Sequence, residues 1–191
     1  KVPKLLSRIS QAHSKTLLNL MMNKVDKIIT VSDSNKKDII DAFGCPEEKI
    51  KVIYGGFDKR FFEEYESVDK ERIFRNYEIK DKYILFLGTL EPSKNILRLL
   101  EAFKIFKESL KKEKIKTDYK LILAGKKGWL SQEYGQMVKD MGLTKCVVFA
   151  GYVIGDELVP LFKNADFFVL PSLYEGFGST ILEAYAAGLP V

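Results

Sequence analysis

Histidine occurs once in the chain, at His13, and cysteine twice, at Cys45 and Cys146. A single histidine leaves no material for a histidine-ligated metal cluster or for an ordinary Ser-His-Asp triad in the main body. The cysteines form neither a Cys-x-x-Cys pair nor a zinc spacing, so a reduced intracellular compartment is the simpler reading. No Asp-x-Asp pair is present, which disfavours a metal ion bridged by such a pair to a diphosphate. No run approaches the roughly 20 apolar residues of a membrane-spanning helix, and no secretory leader is recognisable. A net charge of +5 is too small to point to nucleic acid by itself. What remains is ordinary for a soluble globular chain: 191 residues, 46% hydrophobic and 30% charged.

Residues 1–24 carry Lys1, Lys4, Arg8, Lys15 and Lys24 without an acidic residue, and Leu5, Leu6, Ile9, Ala12, Leu17, Leu20 and Met21 recur at roughly helical spacing. This reads as a basic amphipathic helix. Such helices usually pack on protein; peripheral contact with an anionic membrane surface is the alternative. Short strands are expected at Lys27–Val31 and Lys51–Tyr54, with a helix between them that is capped by Ser32 or Ser34 and stopped by Gly44. Residues 57–81 are charged and aromatic without clean periodicity, and read as a linker with a short helix. From residue 82 strands and helices alternate. Strands are expected at Tyr83–Leu87, Tyr119–Ala124, Cys146–Phe149 and Phe167–Leu170, and helices at 94–113, 131–141, 155–163 and 179–187. The fold class is therefore α/β, a Rossmann-like parallel sheet with helices on both faces and right-handed crossovers. The first residue is Lys1, and the chain stops at Gly188-Leu-Pro-Val191, where another buried strand would begin; it reads as incomplete at both ends.

In such sheets ligands bind beyond the carboxyl ends of the strands, at the switch point. After the last expected strand stands Pro171-Ser-Leu-Tyr-Glu175-Gly-Phe-Gly178-Ser-Thr-Ile-Leu-Glu183. Its glycines permit close backbone approach, and the helix that follows aims free N–H groups back at the same spot, where a phosphate would fit. Glu175 and Glu183, with seven residues between them, bracket that helix start. Ionised carboxylates only accept hydrogen bonds and so suit sugar and ribose hydroxyls. Thr180 to Glu183 also reads as a capping box, in which Glu183 merely satisfies the helix start. A second loop, Gly88-Thr-Leu-Glu-Pro-Ser-Lys94-Asn95, opens a helix after the first strand of the sheet. Lys94 would offer a point charge to a diphosphate, or be a solvated lysine. Gly125-Lys-Lys-Gly-Trp129 permits close approach again, with Lys126 and Lys127 equally readable as solvated; Tyr152 and Val153 could flank a base, or Tyr152 could pack at the core edge.

At these residues the sequence resembles the group 1 (family 4) retaining glycosyltransferases, of the two-Rossmann-domain (GT-B) type. The resemblance runs through Ile28-Ile-Thr-Val-Ser32, Val52-Ile-Tyr-Gly-Gly-Phe-Asp58, Gly88 to Asn95, Ala124-Gly-Lys-Lys-Gly-Trp129, and Glu175-Gly-Phe-Gly178 through Leu182-Glu183-Ala184 to Val191. It implies that residues 1–56 are the tail of an amino-terminal acceptor domain, 57–81 a linker, and 82–191 an incomplete nucleotide-sugar-binding domain.

The resemblance also implies roles. Glu175 would contact the donor sugar and Glu183 the ribose. Backbone amides near Phe177, Gly178 and Ser179 would hold sugar and phosphate, with Gly88, Thr89, Gly125, Tyr152, Val153, Gly176 and Thr180 also binding the donor. Lys94 would stabilise the departing diphosphate. Glu175 and Lys94 are the candidate catalytic residues. The reaction would move a sugar from a nucleotide to an acceptor hydroxyl with retention, without a metal or other cofactor. The donor would be GDP-mannose or a UDP-sugar, with a lean to mannose from the wording of the Gly88 and Gly125 loops. The acceptor would be a glycan or a lipid-linked acceptor, in glycan or polysaccharide synthesis. The missing amino-terminal domain of the same protein would be a partner, nucleic acid would not, and the protein would be cytoplasmic, with the cytoplasmic membrane face as the peripheral alternative. Thr89 and Ser93 stand where relatives often carry an arginine, and Ser179-Thr180 replaces a more usual apolar pair. The piece alone is expected to transfer sugar poorly or not at all. The competing reading is a non-catalytic nucleotide-sugar-binding module, or a subunit that needs a partner domain.

Overall fold

The computed structural model describes residues 17, 18, 20–22, 24–63, 67–126, 128 and 131–191. Most of the basic helix expected in residues 1–24 lies outside the described residues, as do Lys127 and Trp129. The chain divides into two compact units, residues 1–56 with 174–178, and residues 57–173 with 179–191.

The first unit holds a β-α-β arrangement. Strand β1 (Ile28–Thr30) pairs in parallel with β2 (Ile50–Val52), and helix α1 (Asp33–Phe43) joins them. Ser32 starts α1, its hydroxyl accepting from the Asn35 amide at 3.1 Å, which satisfies one of the donors a helix start leaves open. Gly44, at φ 62, ends it in the left-handed conformation that a residue without Cβ adopts cheaply.

The second unit is built on four parallel strands, β3 (Lys82–Leu87), β4 (Tyr119–Ala124), β5 (Val147–Gly151) and β6 (Phe167–Phe168), in the order β5-β4-β3-β6. Its helices are α2 (Ser67–Asn76), α3 (Ile96–Lys112), α4 (Ser131–Asp140), α5 (Leu158–Lys163) and α6 (Ser179–Ala186). Side chains alternate across a pleated strand, and the two faces of the sheet bury separate cores. Tyr83, Leu85, Ile122 and Ala124 pack with Ile73 of α2, Leu161 and Phe162 of α5 and Ala184 of α6. Ile84, Phe86, Leu121 and Leu123 pack with Ile96, Leu100 and Phe103 of α3 and Tyr134 and Val138 of α4. The sheet thus grows outward from β3 to β4 to β5 and then returns to the other side of β3. With crossovers of one hand, that reversal sends α5 to the face opposite α3 and α4.

Residues 57–81 are not a linker: Phe61, Ile73, Tyr77 and Ile79 are buried in the first of these cores, and Asn76 and Tyr77 donate to the Glu157 carboxylate at 2.8 and 3.1 Å. Ile73 and Tyr77 lie four apart and share one helical face; the charges around them hid a short apolar stripe. The last expected strand is also shorter than Phe167–Leu170, pairing with β3 only through Phe167 and Phe168.

Candidate functional site

The switch point of the second unit lies between β3 and β6, which are neighbours in the sheet but far apart in the chain. The segments that leave their carboxyl ends are fastened together. The Leu173 amide donates to the Ser93 carbonyl at 2.8 Å, and the Asn95 side-chain amide donates to the Pro171 carbonyl at 3.2 Å. Asn95 itself sits at φ 57, between the 3-10 turn Pro92–Lys94 and α3. Asparagine tolerates this left-handed geometry better than most residues, and it turns the chain so that Lys94 precedes α3 rather than standing in its first turn. The Ser93 hydroxyl donates to the Glu91 carboxylate, which fixes the loop from within.

The loops after β3, β4 and β5 are also stacked. The Gly88 amide donates to the Ala124 carbonyl at 2.9 Å, and the Gly125 amide to the Gly151 carbonyl at 2.7 Å. Gly125 is at φ 144, and a Cβ placed there would stand 1.9 Å from the Gly88 carbonyl oxygen. Close approach is therefore the reason for this glycine, and what approaches it is the neighbouring backbone. The Lys94 stem passes Gly88, its Cε being 3.9 Å from where a Gly88 Cβ would be. The Lys126 ammonium sits 4.8 Å from the centre of the exposed Tyr152 ring, a cation–π contact that leaves this aromatic at the carboxyl end of β5. Val153 is buried in the core, so its side chain is packing and only its backbone faces other duties.

Glu183 carries the most informative feature. Thr180 is the second residue of α6, which begins at Ser179, so Glu183 lies beyond the first turn and the capping-box reading does not hold. Its Oε2 is buried and has no hydrogen-bond partner among the described residues. Burial, and secondarily the charge of Asp58, raises its pKa above the usual glutamate value. An unpartnered buried acceptor costs about 1–3 kcal/mol. A carboxylate kept in that state is ready to receive a hydroxyl or amine from outside the chain.

The Glu175-Gly-Phe-Gly178 segment belongs to the first unit together with Tyr174. There the Tyr174 hydroxyl is 2.6 Å from both Asn35 Oδ1 and Asp38 Oδ2. The Phe177 ring stacks on Tyr54, with centroids 6.2 Å apart. A Cβ at Gly55 would come within 3.0 Å of that ring, and one at Gly176 within 3.2 Å of the Asn35 amide nitrogen. Tyr54 in turn donates to Asp33 at 2.5 Å. The two glycines thus let the segment lie flat on α1 and on the loop after β2. Gly178, at φ 76, ends the segment and leads into α6. Asn35, Asp38 and Tyr54 were not candidates from sequence. Asn35 and Asp38 share a helical face, but nothing in the pattern ties that face to a segment about 140 residues later.

Residues 69–191 match the family model described as "Glycosyl transferases group 1", well over half of the chain. The chain belongs to the group 1 glycosyl transferases. Residues 2–61 match a second model, "Glycosyltransferase Family 4". This glycosyl transferase is 38% identical over 168 residues to the uncharacterized glycosyltransferase MJ1607 of Methanocaldococcus jannaschii, covering 86% of this chain and 41% of that relative. It is 31% identical over 175 residues to O-antigen chain mannosyltransferase B of Escherichia coli, covering 91% and 44%. The crystal structure of Anabaena HepE in complex with UDP and glucose superposes with a TM-score of 0.77 at 24% identity, over 95% of this chain and 47% of that one, and so shares its fold. The glycosyl transferase chain therefore spans less than half the length of these relatives.

Proposed function

We propose that the whole protein transfers a sugar from a nucleoside diphosphate to an acceptor hydroxyl with retention of configuration, and that this chain supplies most of the donor-binding machinery. The observation that carries the proposal is the buried, unpartnered Oε2 of Glu183 on the helix that follows the switch-point strand. An acceptor-only carboxylate suits the hydroxyls of a ribose. The open amides at the start of α6, together with Lys94, suit a diphosphate.

In this reading the nucleotide's ribose hydroxyls donate to Glu183. The diphosphate is held by the α6 amides at Ser179 and Thr180 and by the Lys94 ammonium. As the bond from the anomeric carbon to the diphosphate oxygen breaks, negative charge grows on that oxygen. Lys94 then holds it more tightly than in the ground state, which lowers the barrier. Glu175 accepts from the donor-sugar hydroxyls, and Tyr152 borders the base. The acceptor oxygen forms the new bond to the anomeric carbon and its proton leaves with the diphosphate. Lysine and helix amides supply the neutralisation that a metal would otherwise give, so transfer should survive a chelator. Two relatives are described as O-antigen chain mannosyltransferases, which supports mannose as the donor sugar and a glycan as the acceptor.

Titration of the full-length protein with GDP-mannose and a set of UDP-sugars tests this, followed by Glu175→Ala, Glu183→Gln and Lys94→Ala. Loss of roughly tenfold or more in donor affinity or turnover is expected for each, the scale of one charge-assisted hydrogen bond. Wild-type donor affinity and turnover in all three would refute the assignment. Donor binding without transfer to any acceptor glycan would favour a non-catalytic binding module.

A further inference from the structure

One concavity in the described residues lies away from the carboxyl ends of the strands. A cavity of about 810 Å³ opens at the other end of the sheet, beside the edge strand β5, and is confined to the second unit. Its lining comes from the residues that enter β3, β4 and β5, and includes Lys80, Lys120, Lys145, Glu78, Asp118 and Thr144.

Lys120 is the unusual member. It is only 7% exposed, the one buried lysine among the described residues. Its position on β4 places it on the face shared by Ile122 and Ala124. No hydrogen bond or ion pair to its ammonium exists among the described residues. Two carboxylates line the same cavity, yet neither is its partner. Asp118 is taken by Lys107, whose ammonium is 3.4 Å from Asp118 Oδ1. Glu78 is then the remaining carboxylate against three lysines. A buried lysine ordinarily has an acidic partner; Lys120 instead borders open space whose lining also includes Lys80, Lys145 and Thr144 beside the two carboxylate residues. The volume falls within the range of small-molecule sites.

We propose that this cavity is a second anion site, for a free phosphate-bearing small molecule, held chiefly by Lys120 with Lys80, Lys145 and the Thr144 hydroxyl. Three ammonium groups around one pocket match a phosphate dianion in charge, and lysine binds phosphate as a point charge without demanding planar geometry. The site lies at the amino ends of β4 and β5, so a ligand there would meet none of Gly88, Lys94 or Glu183, which leave carboxyl ends or follow them.

The test is a titration of the full chain, 15N-labelled, with inorganic phosphate, and in a parallel arm with phosphatidylglycerol vesicles. Saturable shifts of the amides of Asp118 to Leu121 and Thr144 to Val148 are expected, with a dissociation constant on the order of 1 mM. Lys120→Met should weaken that binding roughly tenfold or more, and Lys94→Met should leave it unchanged. Should Lys120→Met fail to fold, the exposed pair Lys80→Ala with Lys145→Ala carries the test with the same expectation. Absence of saturable shifts at these amides, full affinity in Lys120→Met or in the Lys80→Ala, Lys145→Ala pair, or a response to vesicles without one to free phosphate would overturn the proposal.

Discussion

Replacing Glu183 by glutamine should make the ligand-free protein more stable at neutral pH while weakening its hold on a nucleotide sugar. Glu183 is half-buried, its Oε2 is shut off from solvent without a partner, and its pKa is raised by burial and by the Asp58 charge. A carboxyl group with a folded pKa above its unfolded value binds more protons in the folded state across the interval between the two, so stability falls as pH rises through it. Below the ordinary glutamate value, about 4.3, both states are protonated and the penalty is absent. Above the raised pKa it is complete. Keeping a charge at this place, with the Asp58 charge acting on it, costs about 1 kcal/mol once the partial exposure of the side chain is allowed for, the lower end of the range for an uncompensated buried group. In a chain of this size that corresponds to about 2–4 °C in Tm. Glutamine keeps the shape and removes the charge. Urea unfolding followed by the fluorescence of the single tryptophan, Trp129, at about pH 7 and at about pH 4 gives the comparison. The variant should gain at the higher pH and match the wild type at the lower. A variant destabilised at neutral pH, or a gap that does not change with pH, would show that Glu183 is satisfied in the folded chain and that its orphaned oxygen carries no argument for a ligand. The trade of stability for binding is the pattern expected of a functional group.

Two further outcomes follow from the loops. Gly125→Ala should cost about 3 kcal/mol or more, because the new Cβ would stand 1.9 Å from the Gly88 carbonyl oxygen and φ 144 excludes an L side chain; a urea midpoint near that of the wild type would refute it. Tyr174→Phe removes the contacts to Asn35 and Asp38. Both are exposed, so the loss is about 1 kcal/mol or less, and it should be read as several-fold faster amide hydrogen exchange across residues 174–178. Unchanged exchange there would mean that the Phe177 stack and the glycine fit hold the segment without the hydroxyl.

The alternation of apolar runs with helical spacing from Tyr83 onward marked every strand of the larger sheet, because a strand buried on both faces must be apolar along its length. Ser32 and Gly44 marked the ends of α1 for an equally local reason, the chemistry of helix termini. The 57–81 segment was misread because its burial depends on a partner: Ile73 and Tyr77 become core only when α5 and the sheet lie beneath them. The candidate residues were legible as a motif but not in their surroundings. Val153 reads as a residue beside a ligand until the core claims its side chain.

Sequence alone therefore determined the class of fold, the family, and which short segments carry chemistry, since periodicity, caps and motif spacing are properties of neighbours along the chain. Tertiary structure alone decided that Gly125 exists for Gly88, that Tyr174 answers to Asp38, that Glu183 is left without a partner, and that Lys120 is buried beside an open cavity. Each of these is a relation between groups distant in sequence. Its energy comes from desolvation or steric exclusion, which exist only once packing has removed the water.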